Sequence, residues 1–172
     1  MRKFVDLHLC APIDNLKQVE RMVNLSAELG YRMIGIPLSL NVSRERIRQI
    51  EEICNKAGVG FVTRVDLMPR SSGELLNNLR RIRRKFEIVS VACTSKSVAR
   101  QAAKDRRVDL LSPCVAFPCK RFFDYAEAEL ASKKSVAFEI DMMLILSLTE
   151  FPRIRLLSSL RKEVAVARKF DI

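Results

Sequence analysis

Acidic side chains and a single histidine follow short apolar segments of the sequence and could together hold a metal ion. Asp6 and His8 follow one such segment near the start of the chain. Asp66 follows another segment, and Glu139 lies in a third. Carboxylates and imidazole bind divalent cations, which activate water for attack on phosphoesters. A metal-dependent phosphoesterase with these four ligands is therefore one hypothesis; in the other, the groups only satisfy one another and backbone ends.

The distribution of positive charge indicates a different chemistry. The chain has 31 Lys and Arg against 20 Asp and Glu, a net charge of +11. Residues 70–107 hold eleven basic and three acidic side chains, so this stretch carries +8 of that total. Concentrated positive charge attracts polyanions, because each neutralised phosphate releases counterions, and the arginine fork suits phosphate oxygens. We therefore predict RNA binding by Arg64, Arg70, Arg80, Arg81, Arg83, Arg84, Lys85, Lys96, Arg100, Lys120 and Arg121.

The densest part of this charge lies on a predicted helix. Leu75, Leu79, Ile82 and Phe86 follow one another at intervals of four, three and four residues, which is typical of one buried helix face. The basic residues at 80, 81 and 83–85 would then face solvent, where like charges repel without a polyanion. With two tyrosines and no tryptophan, base stacking is not expected, and contacts to phosphates would carry little sequence information. A small-molecule-binding barrel whose basic surface has no special role stays open as a third hypothesis.

The elements that would position these residues alternate regularly between strand and helix. Apolar, β-branched segments predict strands at 4–7, 33–36, 60–65, 88–91, 108–111 and 136–140. Helical spacing predicts helices at 15–29, 43–57, 72–86, 94–103, 121–131, 142–148 and 152–169. Such alternation is typical of a parallel sheet covered by helices, in a single domain over residues 1–172. Periodicity alone leaves two arrangements open, an open doubly wound sheet and most of a barrel.

Composition argues against several other classes of protein. No apolar run approaches the roughly 18 residues that cross a bilayer, so no membrane contact is expected. Five cysteines, an odd number at wide spacing, favour reduced thiols in a cytoplasmic protein. Cys114 and Cys119 form the one close pair, but nothing near them completes a zinc site. Neither glycine-rich phosphate-loop motif occurs, and we predict no bound cofactor.

Several segments resemble the family of ribonuclease P protein component 3. They are Phe-Val-Asp-Leu-His-Leu-Cys at 4–10, Asp-Leu-Leu-Ser at 109–112, Phe-Glu-Ile-Asp at 138–141, and the late helix at 155–162 with 167–170. The resemblance covers essentially the whole chain and implies a TIM-barrel-like parallel α/β fold related to the polymerase and histidinol phosphatase superfamily. That family ordinarily continues past the late helix into another strand and helix, whereas this sequence ends at Ile172. The resemblance therefore predicts an incomplete barrel of about six to seven strands.

The resemblance also implies a function. The related superfamily opens its metal site with His-x-His, whereas this chain has Asp6 and His8 at those positions, so one ligand is replaced. A subunit of this family supports the catalytic RNA of ribonuclease P, an endonuclease that removes the 5′ leader of precursor tRNA. The RNA uses magnesium and performs the cleavage. Expected partners are this RNA, precursor tRNA and protein component 2, with a homodimer inside a heterotetramer as one arrangement.

Overall fold

The computed structural model describes residues 4–82, 84–113 and 121–172, in which strands and helices alternate. The strands are β1 (Phe4–Asp6), β2 (Tyr31–Pro37), β3 (Gly60–Leu67), β4 (Ile88–Cys93), β5 (Leu110–Pro113) and β6 (Ala137–Phe138). The helices are α1 (Leu16–Glu28), α2 (Arg44–Lys56), α3 (Ser72–Ile82), α4 (Lys96–Ala103), α5 (Tyr125–Ser132), α6 (Met142–Ser147) and α7 (Glu150–Lys169). Every predicted strand and helix is present in the structure, with shifted ends.

The chain divides into two compact units. The first unit comprises Met1–Val65 and Arg84–Ile88, and the second comprises Asp66–Arg83 and Val89–Ile172. β1, β2 and most of β3 lie side by side in chain order in the first unit, and most of β4, with β5 and β6, does the same in the second. The pairings within each unit are parallel. The single domain predicted for residues 1–172 stays a prediction.

The core of the first unit is formed where α1 and α2 pack beside β2. Val19 and Val23 of α1 and Ile50 of α2 are fully buried, together with Ile34 and Ile36 of β2. Each helix contributes residues three or four positions apart, which lie on one face. The strand contributes residues two apart, as expected for side chains that alternate between the faces of a sheet. The core thus combines one face of each helix with alternate residues of the strand.

The second unit is built around small side chains on α4 and α5. Ala99, Ala102 and Ala103 of α4 are fully buried, as are Ala128 and Ala131 of α5, and the two helices are in contact. Alanine favours the helix and lets two backbones approach closely. The long helix α7 packs beside both α5 and α6, and its own buried face consists of Leu156, Leu160, Glu163 and Ala167.

Polar side chains at the helix starts explain where several helices begin. Ser43 and Ser95 accept hydrogen bonds from backbone N–H groups of α2 and α4, as their positions in the sequence predict. The prediction for α5 was wrong at its start: the helix begins at Tyr125 rather than Arg121. Asp124 caps it and forms a reciprocal capping box with Glu127, which leaves residues 121–124 outside the helix.

Gly35 is required by the close approach of β2 to the segment after β1. A Cβ atom on residue 35 would lie 2.6 Å from the carbonyl oxygen of Leu7, which is backbone and cannot turn aside. We expect Gly35→Ala to lower the free energy of unfolding by about 2–3 kcal/mol, measured by urea denaturation. Gly73→Ala is the matched control. Its Cβ would have Ser71 Oγ as its nearest neighbour at 3.9 Å, so alanine in α3 should stabilise by about 0.5 kcal/mol. Equal unfolding midpoints for Gly35→Ala and the wild type would contradict this explanation.

Six parallel strands that alternate with helices confirm the predicted α/β class and the incomplete TIM-barrel-like fold. β6 is shorter than predicted, with two residues rather than five. In the part of the chain that the structure describes, no helix is long and apolar enough to cross a membrane. Cys54 is a buried free thiol, whereas Cys114 and Cys119 lie outside the described residues.

Candidate nucleic-acid interface

The last turn of α3 presents two arginines to solvent. Leu75, Leu79 and Ile82 form the buried face of the helix, as the spacing predicts. Arg80 and Arg81 are exposed, and neither forms an ion pair with any side chain of the described residues. Cations in the last turn of a helix are also favoured by the helix dipole, which is a structural role that needs no ligand. We refer to Arg80 and Arg81 as the α3 arginines.

Arg84 and Lys85, which follow α3 in the sequence, do not lie on the helix. The predicted helix extended to Phe86, but α3 ends at Ile82. Arg84 has a φ of +73°, a left-handed conformation that an α-helix does not contain. Phe86 packs instead against the core of the first unit. Arg84 and Lys85 are exposed in that unit, while Arg83 lies outside the described residues.

Lys96 and Arg100 are held by carboxylates of the protein itself. Glu127 is 0% exposed and accepts hydrogen bonds from Lys96 Nζ at 2.5 Å and Arg100 Nε at 3.3 Å. Lys96 also forms an ion pair with Asp124. Burial disfavours the ammonium form, but the bonds to Asp124 and Glu127 outweigh it and raise the pKa of Lys96. Two cations therefore face two carboxylates, which leaves little charge for an external polyanion.

Arg64 lies in the interior of the first unit and not on its surface. Its side chain is 1% exposed, and Nη1 donates a hydrogen bond to the carbonyl oxygen of Leu7 at 2.8 Å. A guanidinium in this position fixes the chain after β1 and cannot reach a phosphate outside the protein. We therefore leave Arg64 out of the interface, although the sequence predicted it there.

The other predicted RNA contacts are separate from one another. Arg70 precedes α3 and is exposed, and its backbone N–H donates to Glu74 Oε2 at 2.8 Å. Arg121 is exposed in the segment before α5. Lys120 lies outside the described residues. The part of the predicted set that remains open to a ligand is therefore Arg70, Arg80, Arg81, Arg84, Lys85 and Arg121.

The four residues of the metal hypothesis have other contacts. The backbone N–H of His8 donates to Asp6 Oδ1 at 2.9 Å, and His8 Nε2 lies 3.7 Å from Cys10 Sγ. Glu139 Oε2 accepts a hydrogen bond from Ser90 Oγ at 3.4 Å, and Asp66 is exposed. Among residues 4–82, 84–113 and 121–172, no three His, Cys, Asp or Glu side chains come together as a metal site. No observation in the described structure therefore favours the phosphoesterase hypothesis.

Basic residues of α7 were missed by the sequence analysis. Residues 150–172 contain six basic and three acidic side chains, so a count along the chain shows only a moderate excess. Helical spacing was the signal that could have found them: Arg155 and Lys162 are seven positions apart, which places them on one helix face two turns from each other.

Comparison with known proteins places this arrangement in a family. The model of a family described as RNase P subunit p30 matches residues 3–172. Ribonuclease P protein component 3 of Archaeoglobus fulgidus is 33% identical over 115 residues, which cover 67% of this chain and 53% of that protein. Its counterpart in Methanosarcina mazei is 28% identical over 170 residues, which cover 99% of this chain and 70% of the relative. The chain thus spans about half of the first protein's length.

A solved structure shows the same fold. A chain of the cryo-EM structure of archaeal ribonuclease P with mature tRNA matches with a TM-score of 0.81 and 22% sequence identity. The match covers 98% of this chain and 71% of that one. Because the family model matches nearly the whole sequence, residues 3–172, the chain belongs to the RNase P subunit p30 family.

Proposed function

We propose that this protein is a subunit of ribonuclease P, the ribonucleoprotein endonuclease that removes the 5′ leader of precursor tRNA. The family match over residues 3–172 carries the proposal, and the names of the relatives support it. In this proposal the RNA subunit cleaves the substrate with magnesium, and the protein holds that RNA in its active conformation. The protein itself contributes no catalytic group and binds no cofactor.

The proposed partners are those expected of a ribonuclease P subunit. They are the RNA subunit, precursor tRNA and protein component 2, with two copies of this chain inside a heterotetramer as the assembly. The proposed location is the cytoplasm. Exposed arginines without internal partners support the contact with RNA, because each can form paired hydrogen bonds with the oxygens of a phosphate. Such contacts orient the RNA without selecting its sequence.

The α3 arginines provide the test of RNA binding. We expect Arg80→Gln with Arg81→Gln to weaken binding of the in vitro transcribed RNA subunit of an archaeal ribonuclease P. The measurement is the apparent dissociation constant by fluorescence anisotropy across a series of salt concentrations. Loss of two phosphate contacts should lower the slope of log K against log salt by about 1.5. The corresponding loss of affinity at ~0.1 M salt is about thirtyfold.

A matched control removes the same charge elsewhere. Arg44 and Arg48 are exposed on α2 of the first unit and are not part of the proposed interface. Arg44→Gln with Arg48→Gln should leave the slope within about 0.3 of the wild type, a margin well below the loss of one contact. An equal decrease in both variants would show that net charge alone is responsible. A wild-type protein that does not bind the RNA would contradict the proposed function itself.

A further inference from the structure

A groove with a volume of about 530 Å³ lies in the second unit between α7 and the segment that precedes α5. Its lining residues are Arg121, Ile154, Arg155, Ser158, Ser159 and Lys162. Three of these side chains are cationic, two carry hydroxyl groups, and one is apolar. The set thus combines positive charge with neutral hydrogen-bond donors, the groups that bind phosphate oxygens in proteins.

The position of the groove is fixed by the packing of α7. Leu156, Leu160 and Ala167 are buried beneath the helix, which contacts α5 and α6. Arg155, the two serines and Lys162 lie beside that buried face. The serines follow Arg155 by three and four residues and precede Lys162 by four and three, so the four side chains form one row along the helix. The row is about 10 Å long, at 1.5 Å per residue. A rigid helix therefore holds the cations and hydroxyl groups in a line.

Two cations of the groove, Arg155 and Lys162, differ from those of α4 because no carboxylate of the described residues pairs with them. Glu163 is the acidic residue next to the row, but it is 4% exposed and belongs to the buried face. Burial raises its pKa to about 7 against the opposing effects of Arg121 and the Phe123 N–H. The groove thus carries a net positive charge.

We propose that this groove binds phosphates of an RNA backbone, with Arg121, Arg155 and Lys162 as the cations and Ser158 and Ser159 as hydroxyl donors. The inference rests on the proposed function and adds a second contact region to the α3 arginines. An acidic protein segment is a less suitable ligand, because it would need apolar surface and Ile154 is the one apolar residue among the described lining residues. A mainly apolar groove lies on the other side of α7, lined by Ile140, Met142, Ile145 and Leu157 among others.

The test changes the two cations that have no internal partner. Arg155→Gln with Lys162→Gln removes them and leaves Arg121 beside Glu163. The probe is the in vitro transcribed RNA subunit of an archaeal ribonuclease P, and its affinity is measured across a series of salt concentrations. The slope of log K against log salt should decrease by about 1.5, and the affinity at ~0.1 M salt should decrease about thirtyfold. Circular dichroism and thermal unfolding establish that the variant is folded.

The control is Arg48→Gln with Lys56→Gln, which removes one arginine and one lysine from exposed positions of α2. It should retain the wild-type slope. If the groove variant behaves like this control while the wild type binds RNA steeply, the groove proposal is overturned and the proposed function stands. If the wild type itself does not bind, both fail. A groove variant that binds RNA normally but no longer binds a purified protein partner would assign the groove to protein contact and overturn the proposal.

Discussion

Replacement of Arg64 by alanine is expected to lower the free energy of unfolding by about 3–5 kcal/mol. The substitution removes a large side chain that is 1% exposed, and the cavity costs stability because the surrounding core relaxes only in part. It also leaves the Leu7 carbonyl oxygen without the hydrogen bond from Nη1, at a cost of about 1–3 kcal/mol if water cannot replace it. Arg64 would then act through the fold and not through contact with RNA.

Urea denaturation of three variants separates these contributions. Arg64→Met fills most of the volume of the arginine side chain but loses the hydrogen bond to the Leu7 carbonyl oxygen. Its loss of stability should therefore be smaller than that of Arg64→Ala, which loses both. Arg48→Ala, an exposed arginine on α2, should change stability by less than about 0.5 kcal/mol. An Arg64→Ala protein with wild-type stability and a smaller salt slope for RNA binding would restore the prediction made from the sequence, in which Arg64 contacts RNA.

The fold could be predicted because its signals are local. The strand at 33–36 and the helix at 15–29 were predicted from patterns of apolar residues that lie close together in the sequence. Helix ends were predicted where a side chain close in sequence determines them, as Ser43 does for α2. The end of α3 was not predicted correctly. Phe86 packs against the core of the first unit and does not extend the buried face of the helix. The packing of Phe86 depends on core residues that are mostly far from it in the sequence.

The residues of the candidate interface were harder to predict than the fold. The sequence does not show which carbonyl or carboxylate group of the protein binds a given Lys or Arg. Arg64 meets Leu7, 57 positions away, and Lys96 meets Glu127, 31 positions away. Neither partner can be identified from the run of charges between Arg70 and Arg107. The α3 arginines stay candidates because they have no such partner in the described chain. Arg155 and Lys162 were missed for a complementary reason, since only the helix brings them into one row.

Stability should decrease with rising pH because of Glu163. Burial raises the pKa of this carboxyl from its ordinary value of 4.5 to about 7, despite the attraction of Arg121 and the hydrogen bond from the Phe123 N–H. The folded state therefore favours the protonated form more than the unfolded state does. Its stabilising contribution is fully present below about pH 4.5 and is lost as pH rises towards 7, a total of about 3 kcal/mol.

Glu163→Gln should remove this dependence, because the amide is neutral at every pH and its oxygen can still accept the bond from Phe123. Below about pH 4.5 the variant should match the wild type, and above pH 7 it should be more stable by up to about 3 kcal/mol. Urea denaturation at intervals between pH 4 and 8 measures the difference, with Glu20→Gln, an exposed position of α1, as the control. Parallel curves for Glu163→Gln and the wild type would mean that the pKa of the carboxyl is the same in the folded and the unfolded states. The attraction of Arg121 would then balance the cost of burial, and the carboxylate of α7 would be ionised at neutral pH beneath the groove.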